Sequence, residues 1–139
     1  MSQKIMGIDV GTVRVGIAMS DAAIGIAHPR ETLAAADAVE EVVVLVDAES
    51  VTTIVIGWPL HLDGSEGLAT RRVEKFEARL VEALGGREIE LIRWDERLTT
   101  TAAENFLIGA DVSRSRRKEV VDQIAATHIL QGWLDSRET

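Results

Sequence analysis

The sequence predicts an α/β fold: a mixed five-stranded sheet, three antiparallel strands followed by two parallel ones, flanked by helices. Two features carry this expectation. Up to Leu33 the chain offers only short apolar stretches separated by turn residues, the pattern of a meander. Beyond Asp37, β-branched strand segments alternate with stretches whose apolar residues recur at helical spacing.

Ile5, Met6 and Ile8 read as a buried first strand that delivers Asp9 and turns on Gly11. Val13, Val15, Ile17 and Met19 then alternate with Arg14, Gly16, Ala18 and Ser20 in the period of a second strand. His28 to Leu33 forms a third, with Pro29 near its start, where a missing amide donor is tolerated. Asp37 is placed to cap a helix over Ala38 to Ala48, rich in valine on the side that would meet a sheet. Thr53 to Ile56 is a β-branched strand expected to break at Gly57 and Pro59, leaving GWPLHLDGSEG as a loop. Ser65 would cap the next helix, on which Ala69, Val73, Phe76, Leu80 and Leu84 keep helical spacing until Gly85 and Gly86 stop it. Ile89 to Trp94 is the fifth strand and runs into Asp95 and Glu96. A short helix is expected from Leu98 to about Leu107, then a polar linker from Gly109 to Ser113, then a last helix from about Ser115 to Leu134.

A chain of 139 residues is enough for one core, so residues 1–139 are expected to form a single domain. The absence of cysteine excludes a disulfide framework, a thiolate nucleophile and a thiolate metal site. MSQKIMGIDV lacks the apolar core of a signal peptide and no apolar run approaches the length of a membrane span, so a cytoplasmic protein with no membrane partner is expected. With 15 Lys plus Arg against 23 Asp plus Glu, the net charge of -8 argues against binding nucleic acid through bulk charge. Two local cationic runs stand out nonetheless: Arg114, Arg116, Arg117 and Lys118, and the looser Arg71, Arg72 and Lys75. Either run is also what a solvated helix face looks like.

Three acids stand where acids are costly. Asp is depleted in strands, yet Asp9 ends one. A turn cap is the plainer explanation for it. Asp122 has Ala125, Ala126, Ile129 and Trp133 at i+3, i+4, i+7 and i+11, so it lies on the apolar stripe of the last helix and faces the sheet. A buried carboxylate needs a partner, either a base such as Arg14 or Arg93 or a metal ion. With strands one and five as neighbours, Asp9 and the Asp95/Glu96 end would lie side by side, and the last helix would bring Asp122 over both. Converging carboxylates repel one another and call for a cation. Oxygen ligands without Cys or His favour Mg²⁺ or Mn²⁺. Two such ions, about 3.5 to 4 Å apart, can activate a water and stabilise the leaving oxygen in phosphodiester hydrolysis.

GIDVGTVRVGIAMSD, IVIGWPLHLDGSEG, WDERLTT and SRSRRKEVVDQIAATHILQGWLD together resemble the YqgF family of RuvX-like proteins, and the match spans nearly the whole chain. The resemblance implies an RNase H-like fold similar to Holliday-junction resolvases, and hydrolysis of phosphodiester bonds in maturation of the 5′ end of pre-16S ribosomal RNA. It implies Asp9, Glu96 and Asp122 as metal-binding catalytic acids, with Asp95 beside them. Arg114, Arg116, Arg117 and Lys118 become the candidate nucleic-acid contacts, with Arg14, Arg71 and Arg72 as further candidates. The family loop usually reads GLPL followed by Asn, whereas this chain has Trp58 and His61. Cleavage of branched DNA is the alternative within the nuclease reading. From other classes come a nucleotide-binding module, since GIDVGT also resembles the phosphate hairpin of sugar kinases and actin-like ATPases, and a nucleic-acid-binding module whose acids do not catalyse.

Overall fold

The computed structural model describes residues 3–21, 23–97 and 114–137, with side chains in the last stretch described from Gln123 onward. The helix and linker expected between Leu98 and Ser113 lie outside the described residues. Strands β1 (Lys4–Val10), β2 (Arg14–Asp21) and β3 (His28–Ala34) form the antiparallel meander. A 3-10 turn, Ala35–Asp37, leads into α1 (Ala38–Glu49), followed by β4 (Val51–Trp58), α2 (Leu68–Leu84), β5 (Glu90–Asp95) and α3 (Arg114–Ser136). The sheet order is β3-β2-β1-β4-β5, with β4 parallel to both β1 and β5. The mixed sheet is therefore as expected, with one correction of consequence: β1 and β5 are not neighbours, because β4 lies between them.

Other differences are local. β4 does not break at Gly57; it continues through Trp58, pairing Gly57 with Trp94 and Trp58 with Asp95. Asp37 occupies the N-cap position of α1 but makes no capping bond, because the 3-10 turn ahead of it leaves its backbone near-helical. Ser65 does not cap α2. Its amide and hydroxyl both donate to Asp63 Oδ1, closing a turn, while the helix starts two residues later where Gly67 N donates to Thr70 Oγ1. Thr70 is buried, so this bond also satisfies a hydroxyl that would be costly to leave alone.

The period of two in β1 divides its residues between two cores. Met6 and Ile8 point to α1 and α2, joining Val42 and Val46 of α1 and Val73, Phe76 and Leu80 of α2. Ile5 points the other way, to α3, where it meets Ala126, Ile129, Leu130 and Trp133. Burial of each such large side chain contributes about 1.5 to 3 kcal/mol. α3 presses closely on β1. A Cβ on Gly7 would stand 2.7 Å from Leu130 Cβ and 2.9 Å from the backbone oxygen of Ala126. Neither atom can step aside, since one is helix backbone and the other is fixed to it. Gly7→Ala is therefore expected to lower stability by about 1 to 3 kcal/mol, the usual cost of overpacking. Gly86→Ala, where a Cβ would meet nothing within 4 Å, should cost little. Thermal melts of the two variants check this; equal melting points would mean that α3 does not press on β1.

Candidate active site

Gly7 and Asp9 share a face of β1, so Asp9 lies on the side covered by α3, half-buried and paired in register with Gly16 of β2. On β5 the same alternation puts Ile92 and Trp94 in the α3 core and brings Glu96, just past the strand, to that face. The amide of Glu96 donates to Trp58 O at 3.4 Å, which anchors the residue to the end of β4.

The side chain of Glu96 then crosses the intervening strand. Its Oε2 lies directly over Gly57, in the space where a Cβ would stand, with Glu96 Cδ at 3.1 Å and Ile129 Cδ1 at 2.6 Å from that position. Gly57 thus bridges what the strand order separates: without a side chain on β4 there, Glu96 reaches toward Asp9. Burial pushes the Glu96 carboxyl up to about 8, and the charges of Asp9 and Asp95 add to the rise. By sequence alone Gly57 reads as a strand end. The signal that points to its actual role is a glycine inside a β-branched run, which can mark a close approach rather than a break.

Asp95 faces the other way. It is exposed and bound by Arg97, whose Nε stands 2.7 Å from Oδ2 and whose amide is 3.1 Å from Oδ1. Arg97 holds the Asp95 carboxyl below its ordinary range. The same guanidinium donates to Leu62 O at 3.4 Å, tying the β4–α2 loop to this end of β5.

Asp122 enters through the backbone of α3. Gln123 Nε2 donates to Thr32 Oγ1 at 3.1 Å, and Thr32 pairs with Gly16, which pairs with Asp9. The helix at residues 122 and 123 is therefore level with Asp9. Asp122 precedes Ala125 and Ala126, both buried, by about one helical turn. Among the described residues, no three His, Cys, Asp or Glu side chains form a metal-holding group. The described pair, Asp9 and Glu96, fits a hard divalent cation on chemistry: oxygen donors only, and a glutamate whose charged form is disfavoured until a cation relieves it.

Of the bases considered for Asp122, Arg93 is committed elsewhere, 2.7 Å from Glu77 of α2 and stacked 3.9 Å from the Trp58 ring. Arg14 opens β2 and lines a cleft of about 440 Å³ with Thr32 and Gln123. Arg114, Arg116, Arg117 and Lys118 occupy the first turns of α3, ahead of Asp122. Arg71 is exposed on α2, in the layer opposite α3, while Arg72 is half-buried there. Trp58 is a buried core residue. His61 shapes the loop, its amide donating to Ser65 O and its ring lying against Gly67.

The model of a family described as "RuvX: Holliday junction resolvase" matches residues 3–136. The chain belongs to the RuvX family. Among its relatives, a protein of Halalkalibacterium halodurans is 48% identical over 97% of this chain and 98% of its own length. One of Myxococcus xanthus is 46% identical over 96% and 88%. Both carry the name "Putative pre-16S rRNA nuclease". Among solved structures, Thermus thermophilus RuvC in complex with a Holliday junction substrate superposes with a TM-score of 0.59, at 12% identity, over 97% of this RuvX chain and 95% of its own. The fold is RNase H-like, as in RuvC.

The raised Glu96 makes stability depend on pH. In the unfolded chain the group titrates near 4.5 and in the folded one near 8. Between those values the folded state keeps a proton the unfolded state has lost, so stability falls as pH rises through this window, and the penalty is complete above it. Without divalent ions, Glu96→Gln should melt higher than wild type at pH 8.5, on the order of a few degrees, with the gap closing by pH 4.5. Melts across pH in EDTA test this; a gap independent of pH would show that burial and the neighbouring acids do not raise the Glu96 carboxyl.

Proposed function

We propose that this RuvX-family protein is a metal-dependent nuclease that hydrolyses phosphodiester bonds through Asp9, Glu96 and Asp122, with pre-16S ribosomal RNA as its substrate. The observation that carries the reading is Glu96 stretched over Gly57 into the field of Asp9, under the helix that bears Asp122. A protein does not gain stability from two half-buried carboxylates in mutual repulsion. The arrangement makes sense as a cation site. Bound Mg²⁺ or Mn²⁺, as two ions, would supply a water nucleophile at neutral pH and neutralise charge on the leaving oxygen. The residues do the rest. Asp9 and Glu96 would present carboxylate oxygens at the ends of β1 and β5 under α3, and Gly57 keeps β4 from displacing Glu96. α3 excludes bulk water from their inner side through Ile129 and Ala126. Arg114, Arg116, Arg117 and Lys118, with Arg14, would hold backbone phosphates near the acids. Asp95 stays outside the set because Arg97 occupies it.

The family description favours a second substrate, the four-way DNA junction. Cleavage of matched precursor RNA and DNA junction in Mg²⁺ and Mn²⁺ separates the two. Asp9→Asn, Glu96→Gln and Asp122→Asn should each lower cleavage at least about a hundredfold, more than the loss of a mere supporting neighbour costs, while the protein stays folded. Near-normal cleavage by any of them would remove that residue from the set, and activity resistant to EDTA would remove the metal.

Gly57→Ala gives an independent check, since it changes no ionisable group. It should reduce cleavage as severely as Glu96→Gln, because the added methyl takes the place of the carboxylate. Full activity in this variant would mean that Glu96 works from another position.

A further inference from the structure

On the face of the sheet away from α3, α2 carries Arg72, Lys75 and Arg79 at i, i+3 and i+7, a single stripe on its surface. The stripe forms one wall of a cleft of about 280 Å³ whose other wall is the β1–β2 turn, Gly11 and Thr12, with Phe76 at its base. Among the described residues no carboxylate lines the cleft, although the chain has 23 acids to 15 bases. Nor has any of the three cations a hydrogen bond or ion pair among the described residues. Arg30, Arg87, Arg93 and Arg97, by contrast, each sit on a carboxylate. Glu77, on α2 itself, is drawn away to Arg93 of β5.

Like charges at this helical spacing repel by a few tenths of a kcal/mol per pair, a repulsion that a bound anion would relieve. From Arg72 to Arg79 it runs about 10 Å along the helix, longer than one phosphate needs. The cleft offers no open aromatic face on which a single nucleotide's base could stack, since Phe76 is buried. Its position ties it to the acids. Val10 and Gly11 line it and directly follow Asp9 in the chain, on the other side of the strand end.

We infer that the Arg72–Lys75–Arg79 cleft binds the phosphodiester backbone of the nucleic-acid substrate, holding phosphates that flank the segment lying over the acids. The inference rests on the nuclease reading above and adds a second binding surface to it, on the opposite face of the sheet. A strand that passes over the β1–β2 turn meets the acids on one side and the cationic stripe on the other. The stripe reads charge, not sequence, so its contribution is the same for RNA and DNA.

The test is affinity against salt for labelled single-stranded RNA and a DNA junction, with Ca²⁺ in place of Mg²⁺. Lys75→Ala with Arg79→Ala should flatten the slope of log affinity against log salt by about 0.7 to 0.9 for each phosphate that is no longer neutralised, and Lys75→Ala alone by about half the total. Both residues are exposed, so folding should survive, and melts check it. Arg87→Ala with Arg137→Ala removes the same charge away from the cleft and should leave the slope as it is. An unchanged slope in the cleft variant, or an equal change in the control, would overturn the inference. ATP or inorganic phosphate that binds wild type but not the cleft variant, with the nucleic-acid salt slope unchanged, would overturn it in favour of a small-molecule site. Wild type that cleaves while the cleft variant keeps its slope sinks this inference alone; wild type that binds no nucleic acid sinks the nuclease reading with it.

Discussion

The seat of α3 on the sheet is the interaction on which the rest of the molecule depends. It is close because two strand residues lack side chains: Gly7 beneath Ala126 and Leu130, and Gly57 beneath Ile129. That closeness makes a second core on the far side of a sheet already packed by α1 and α2. It also removes water from one side of Asp9 and Glu96. The cost appears as a glutamate that resists ionisation to about pH 8, and burial of apolar side chains on both faces of the sheet is what offsets it.

Much of the architecture is legible in the sequence, because strand and helix periods are local properties. β1 to β3, α1, α2 and the stripe of α3 can be placed from spacing alone, and so can the oddity of Asp9 and Asp122. The spatial order of the strands cannot, since nothing in β5 says which strand it pairs with. The expectation that β1 and β5 touch brings Asp9 and Glu96 together through the wrong neighbour. Gly57 makes the meeting possible, and its role is invisible without knowing what lies above it. Helix starts mislead for a related reason. Asp37 and Ser65 are both good caps by type, but the chain around each offers a competing turn that uses the residue first.

Asp95 and Glu96 show how far a single step along a strand changes the chemistry of a carboxylate. They are consecutive, yet alternation sends one to the open side and the other under α3. Asp95 meets Arg97, and the pair settles as a surface ion bridge that lowers the Asp95 pKa and leaves it little reason to bind anything else. Glu96 meets Asp9 and no base among the described residues, and its pKa rises instead. A base placed on the α3 side would have done to Glu96 what Arg97 does to Asp95, and a site so neutralised would hold a cation weakly.

The sheet therefore serves as a partition. Cations and acids partly neutralise one another where they come close, so the packing of the sheet decides which of them meet. Here Arg72, Lys75 and Arg79 lie on the α2 face, Asp9 and Glu96 on the α3 face, and strand backbone with its apolar side chains stands between them. The residues of β1 that separate the two sets, Ile8 and Val10, point into or border the α1–α2 core, so the partition is made of the same packing that holds the fold. Net charge then matters less than placement: a chain with a charge of -8 can still present a cationic stripe, because no described carboxylate lines the cleft beside it.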